Sequence, residues 1–125
     1  MTRTDNPRVE DIMSAPVETI AEDETVSAAA QKMRAKNISA LLVTTSPPSI
    51  LTSTDILDVV AEGRDTSELD VADIMTESVE TVPPDLRVGE AAAMMTNFGI
   101  KHLPVVEDGD YVGMISSTDV TAQSF

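Results

Sequence analysis

The sequence predicts an α/β fold built from two copies of one β-α-β-β-α unit, packed about a pseudo-twofold axis into a single module. Three observations carry this reading. The 125-residue chain repeats itself at an offset of 62. In each copy a stretch of helical apolar spacing is followed by short unbroken apolar runs. Two copies are too few for a solenoid, which leaves a closed pair. A chain of this length fits one compact domain.

The repeat pairs Asp11-Ile12-Met13 with Asp73-Ile74-Met75, and Val17-Glu18-Thr19 with Val79-Glu80-Thr81. It continues through Val26/Val88, Ala29/Ala91, Met33/Met95, Ile38/Ile100, Leu41/Leu103 and Val43/Val105. The register then slips by two, because the connection through Ser46-Pro47-Pro48-Ser49 is shorter than Glu107 to Tyr111, and Ser53-Thr54-Asp55 matches Ser117-Thr118-Asp119. The expected boundaries are a tail over 1–8, a first unit over 9–62, a polar linker over 63–70 and a second unit over 71–125.

Val17 to Ile20 and Val79 to Val82 read as short strands, the second ended by Pro83-Pro84. Val26, Ala29, Ala30 and Met33 lie at i, i+3, i+4 and i+7, as do Val88, Ala91, Ala92 and Met95, so each set marks one face of a helix. Asn37 and Gly99 stand just beyond these helices and tolerate the left-handed conformation of a C-cap, so both helices should end there. Ala40 to Val43 and His102 to Val106 read as buried strands. Asp108-Gly109 signals a tight hairpin into Tyr111 to Ile115, and Ile50-Leu51 begin the matching strand. A second helix closes each unit, over Ile56 to Glu62 and Val120 to Phe125. The alanine and methionine of the helices read as core, where small residues allow close approach and Met fills gaps.

Composition excludes several classes of function. There is no cysteine, so disulfides, zinc–thiolate centres and thiol nucleophiles are out. The longest apolar run, Ile38 to Val43, is far short of the ~20 residues of a membrane span. The first residues have no apolar core of a secretory signal, so the expected location is cytoplasmic. Eight Lys and Arg stand against 22 Asp and Glu, a net charge of −14. That surface repels a phosphate backbone, and with three aromatic residues (Phe98, Tyr111, Phe125) there is almost nothing for bases to stack on. Neither nucleic acid nor membrane is an expected partner. Acids spread along the whole chain, with lysine only at positions 32, 36 and 101, match a protein adapted to high salt.

Two segments hold the residues with most chemistry. Thr52-Ser53-Thr54-Asp55 and Ser116-Ser117-Thr118-Asp119 each fall where a strand gives way to a helix. An ionised Asp there can accept hydrogen bonds from both hydroxyls of a ribose, as an acidic residue does in dinucleotide folds, and the adjoining helix start suits a phosphate. Ser/Thr-x-x-Asp is equally the signature of a capping box, and the local residues leave both readings standing. His102 is the sole histidine, so any histidine-dependent acid–base chemistry would have to use it. No nucleophile elbow accompanies it and no P-loop is present. Glu107 to Asp110 reads as a turn, because the remaining ligand positions of a calcium loop are missing. No enzyme, metal site or required cofactor is expected.

Asp-Ile-Met-Ser/Thr at the head of each copy, Val-Glu-Thr-Ile/Val after it, Gly99-Ile100-Lys101-His102-Leu103-Pro104-Val105-Val106 and Gly113-Met114-Ile115-Ser116-Ser117-Thr118-Asp119 together resemble the tandem CBS-domain (cystathionine β-synthase domain) family, in a haloarchaeal-type variant. The likeness runs from about Val9 to about Thr121. It implies two such units forming one module with clefts between them. It also implies a regulatory ligand, an adenine nucleotide (AMP, ADP or ATP) or S-adenosylmethionine, bound by Thr52, Asp55, Ser116, Ser117, Thr118 and Asp119. Lys101 and His102 would reach the phosphates, and Pro104, which opens their strand, belongs to the same nucleotide site. The first copy has Ser39, Ala40, Leu42 and Ser49 where the second has Lys101, His102, Pro104 and Gly113, so the second-copy site should bind phosphate better. The implied function is ligand sensing relayed to an unidentified protein partner. Apart from the resemblance, the apolar Ala/Met helix faces of so small a module, and the apolar surface near the short last helix, predict a homodimer formed through the helices of the two units. The alternative is a dimerisation scaffold with vestigial clefts.

The charge of −14 makes stability depend on salt. Going from 1 M to 0.1 M salt lengthens the Debye length from ~3 to ~10 Å, so surface repulsion reaches further. Melting curves should show a lower Tm at the lower salt; an unchanged or higher Tm would count against salt adaptation.

Overall fold

The computed structural model describes residues 6–77 and 79–122. The chain divides into two compact α/β units, and they do not coincide with the sequence repeats. One unit is Glu18–Val79; the other joins the chain up to Val17 with the chain from Glu80 onward.

In the Glu18–Val79 unit the order is β1 (Thr19–Ile20), α2 (Val26–Lys36), β2 (Ala40–Val43), β3 (Ser49–Thr52), α3 (Ser53–Ala61) and a 3-10 turn at Val71–Asp73; the one-turn helix α1 (Val9–Ile12) belongs to the other unit. β1 runs parallel to β2, and β2 antiparallel to β3. β1 is only two residues long, against the four expected from Val17. The chain passes from one unit to the other at Val17/Glu18, so the strand cannot extend backward. α2 buries Val26, Ala29 and Met33 and ends at Asn37 with φ 56° and ψ 47°, the left-handed C-cap the sequence calls for. α3 starts at Ser53, three residues before the expected Ile56, because Thr52 and Asp55 form a capping box.

The second unit repeats this plan: α4 (Val88–Phe98), β4 (His102–Glu107), β5 (Asp110–Ser116) and α5 (Ser117–Ala122). α4 buries Val88, Ala91 and Met95 and ends at Gly99 with φ 66°. β4 and β5 meet at a two-residue turn in which Asp108 and Gly109 both have positive φ, 53° and 84°, the geometry a tight hairpin requires. The strand expected over Val79 to Val82 is reduced to one parallel bridge, Val82 with Val105. Pro83 and Pro84 follow at once and bring no backbone donors. The expected continuation of α5 to Phe125, and the apolar face foreseen there, involve Gln123, Ser124 and Phe125, which lie outside the described residues.

Backbone hydrogen bonds account for the composition of each unit. Val71 N–H donates to Glu24 O and Val26 N–H to Leu69 O, both at 2.8 Å; in the other unit Val9 N–H donates to Leu86 O (2.8 Å) and Val88 N–H to Pro7 O (2.9 Å). These four bonds are two equivalent pairs at the offset of 62. The head of each sequence repeat is therefore bonded to the helix of the other repeat. Thr76 exchanges two backbone bonds with Ile50, and Ser14 exchanges two with Met114, so each head adds an edge to the other repeat's hairpin. The cores agree. Val71 is fully buried with Ala29, Met33, Leu41 and Leu51, and Val9 with Ala91, Met95, Leu103 and Ile115. Full burial of one valine contributes about 1.5–3 kcal/mol. The polar stretch 63–70 does more than link, since Ser27 N–H donates to Thr66 O (3.0 Å) beside the Val26–Leu69 bond. It thus satisfies two of the free amides at the start of α2.

Gly113 stands where the head segment comes closest to a glycine of the second unit. A Cβ there would lie 2.7 Å from Met13 Sδ and 2.8 Å from Ser14 O. The sulfur can swing away, but the carbonyl is held by Met114 N–H at 2.9 Å. In the other unit the corresponding position is Ser49, buried with its hydroxyl 2.8 Å from Thr45 Oγ1. Gly113→Ala should destabilise the protein by about 1–3 kcal/mol, the range for forced overpacking, through loosening of the Ser14–Met114 pair. Thermal unfolding of that variant checks this; an unchanged Tm would show that the head segment is not packed as described.

Candidate ligand site

Both Ser/Thr-x-x-Asp segments stand at a strand-to-helix junction, as their sequence suggests, and both are capping boxes. Asp55 Oδ2 accepts from Thr52 N–H (2.9 Å), and Asp55 N–H donates back to Thr52 Oγ1 (3.3 Å). Asp119 Oδ2 accepts from Ser116 N–H (2.9 Å), and Asp119 N–H donates to Ser116 Oγ (3.1 Å). The capping reading is therefore correct for both copies. It uses one oxygen of each carboxylate. Among the described residues Oδ1 of Asp55 and of Asp119 has no hydrogen-bond partner, and both residues are half-buried. A carboxylate has roughly four acceptor positions, so each keeps the capacity for a ligand hydroxyl while the cap fixes its orientation.

The strand register brings further sequence-predicted residues to these junctions. His102 pairs with Ser116 across β4 and β5, and Ser117 N–H donates to Lys101 O at 2.9 Å. Lys101, His102, Ser116, Ser117 and Asp119 thus share one end of the hairpin. Lys101 is exposed, His102 and Ser117 are half-buried, and Thr118 is exposed on the first turn of α5. Ala40 pairs with Thr52 in the same way, and Ser53 N–H donates to Ser39 O at 2.9 Å. That junction carries no basic side chain at the positions of Lys101 and His102. Pro104 is placed differently from the rest. It is fully buried inside β4, and its carbonyl accepts from Val82 N–H at 3.0 Å. Among the described residues no group of three His, Asp or Glu is placed to hold a metal ion, and no helix is long and apolar enough to cross a membrane.

Sequence reasoning passed over one feature, an open cavity between α2 and α3 lined in part by Arg34 and Asn37. The signal was present as a difference between the copies, where Thr96 and Gly99 occupy the matching positions.

Residues 9–62 and 71–124 each match the CBS domain family. An uncharacterized protein of Methanopyrus kandleri is 33% identical over 114 residues, which is 87% of this chain and 55% of that protein; the chain spans about half the length of such curated relatives. The hexameric CBS-CP12 protein from bloom-forming cyanobacteria superposes with a TM-score of 0.91 at 30% identity, over 98% of this chain and 74% of that one. A CBS domain pair crystallised in complex with 5′-methylthioadenosine and S-adenosyl-L-methionine superposes with a TM-score of 0.82 at 30% identity, over 94% of each chain.

Proposed function

The chain belongs to the CBS-domain family, and from that premise we propose that it is a regulatory, non-catalytic module that senses an adenosyl compound, an adenine nucleotide or S-adenosylmethionine. The observation that carries this reading is the pair of capped aspartates. Asp55 and Asp119 are held by their caps with one carboxylate oxygen uncommitted among the described residues, which suits the two hydroxyls of a ribose. The solved relative with two adenosyl ligands supports the ligand class.

In this reading Ser116, Ser117, Thr118 and Asp119 surround the ribose, and Lys101 and His102 face the phosphates. Pro104 shapes the strand that presents them. Thr52 and Asp55 form the counterpart, where the absence of basic residues at Ser39 and Ala40 favours a ligand of lower charge. The module needs no cofactor, works in the cytoplasm at high salt, and signals to a protein partner. A ligand shifts such a device only as far as its affinities for the two states differ.

Copies of the chain pair through their helices. Leu57 and Val60 on α3 are 66% and 53% exposed, and Phe98 at the end of α4 is 54% exposed, large apolar side chains that a twofold contact would cover. The same exposed residues favour the second reading, a scaffold whose ligand sites have lapsed.

Calorimetry at molar salt with AMP, ATP and S-adenosylmethionine, on the parent and on Asp55→Ala and Asp119→Ala, separates the two. Loss of charge-assisted bonds worth ~1.5–3 kcal/mol should weaken binding roughly tenfold to a hundredfold in Asp119→Ala, with a smaller loss in Asp55→Ala. Tm should fall modestly in both as the caps weaken. No heat with any of the three compounds, or a lowered Tm with unchanged affinity in Asp119→Ala, would leave the aspartates as caps alone and favour the scaffold. Light scattering at micromolar concentration and high salt should give the mass of a dimer; a clean monomer would refute pairing.

A further inference from the structure

A cavity of about 290 Å³ opens between α2 and α3 in the Glu18–Val79 unit. Met33, Ile38 and Ile56 give it an apolar wall, and Arg34, Asn37 and Ser53 supply its polar groups. Thr52 and Asp55 do not line it. We propose that this cavity is a separate binding site for a small organic anion, a carboxylate or phosphate monoester carried on an apolar body.

The charge pattern is the first argument. The chain has 22 acidic residues, yet none of the described ones lines the cavity or pairs with Arg34. Arg34 is exposed and uncommitted among the described residues, so its guanidinium can hold an external anion through two parallel hydrogen bonds. Complementing the C-terminal dipole of α2 does not require it, because Lys36 stands in the same last turn.

The second repeat supplies an internal comparison. Met33, Ile38 and Ser53 recur there as Met95, Ile100 and Ser117, and Ile56 as Val120. These positions are what the fold needs. Arg34 and Asn37 become Thr96 and Gly99, and Thr96 Oγ1 donates to Ala92 O within its own helix at 3.2 Å. Asn37 and Gly99 adopt the same left-handed C-cap. Glycine does this with no Cβ penalty, so what asparagine adds is a side-chain amide at the cavity. The polar groups that would grip an anion are therefore peculiar to one copy, while the apolar wall is common to both.

Size and chemistry narrow the ligand. The volume lies at the lower end for small-molecule pockets, and the lining has no carboxylate to receive a ribose diol. The ligand differs from the adenosyl compounds proposed above in carrying an apolar body in place of the ribose and adenine, so each proposal can fail alone.

The test is a titration of the full chain, at the lowest salt that keeps it folded, followed by the NMR signals of the Arg34 side chain and the Asn37 amide. Hexanoate and phenyl phosphate are the probes; hexanamide and inorganic phosphate are the controls. Saturable shifts at these groups are expected with one or both probes, the tighter one identifying the head group, and weaker effects with both controls. The double variant Arg34→Thr/Asn37→Gly copies the second repeat and should bind at least ~tenfold more weakly, with Tm and AMP titration close to the parent's. Arg34→Gln alone gives the same readout if the double variant folds poorly. Absence of saturation with both probes, equal binding of hexanamide, or unchanged affinity in the variants overturns the proposal. So do shifts that follow protein concentration and not probe, which would assign the cavity to self-association.

Discussion

Everything in this structure depends on the exchange of head segments between the two repeats. Residues before Val17 complete the unit that begins at Glu80, and residues around Val71 complete the unit that begins at Glu18. The bonds are backbone to backbone and come in equivalent pairs, with a fully buried valine at the centre of each. Neither sequence repeat holds a whole core. The duplication is thus a physical requirement of the fold, since a lone repeat would leave Val9 or Val71 in water and a hairpin edge unpaired. The same exchange sets the local tolerances. Gly113 is needed because Met13 and Ser14 press on it, whereas Ser49 can carry a side chain because its hydroxyl is bonded to Thr45.

The site junctions inherit their geometry from this scaffold. An edge of each hairpin is held by the other repeat's head, through Ile50 with Thr76 and Met114 with Ser14. Two residues further along the same strands lie Thr52 and Ser116, which open the capping boxes. Strand end, cap and helix start therefore form one continuous support for Asp55 and Asp119. A carboxylate already fixed by its own cap has little orientational freedom left to lose when it meets a ligand, which is the usual benefit of preorganisation. Capping and ligand binding are compatible uses of these residues, because the first commits only Oδ2.

Much of the fold was legible in the sequence because it rests on side-chain identity. The i, i+3, i+7 burial of α2 and α4, the left-handed caps at Asn37 and Gly99, and the Asp108-Gly109 turn all follow from what those residues can adopt. The site junctions were legible for the same reason, with capping and ribose chemistry sharing one signature. The exchange was not. The heads 9–17 and 71–79 share five of nine residues, including the buried valine, so the sequence does not say which body each completes, and their hydrogen bonds run through main-chain atoms that carry no residue code. The short β1 and the lone bridge at Val82 follow from where the chain crosses between units, which local propensity does not register. The burial of Pro104, in contrast, was legible, since it lies in the run His102 to Val106 that reads as a buried strand.

Where the two repeats have diverged, the differences fall largely outside the shared core. Buried positions such as Met33/Met95, Leu41/Leu103 and Val43/Val105 are kept. The few basic groups are distributed unequally. The second copy has Lys101 and His102 at its strand start, the first has Lys32, Arg34 and Lys36 on α2, and at each of these positions the other copy has no basic residue. On a surface of net charge −14 a single cation attracts an anion only over a short range, because salt confines its field to about 3–10 Å between 1 M and 0.1 M. A basic residue there acts where it stands and gives little to the surface as a whole. Moving one from the strand start to the helix pair therefore changes where an anion is attracted, and it leaves the duplicated core, and hence the fold, untouched.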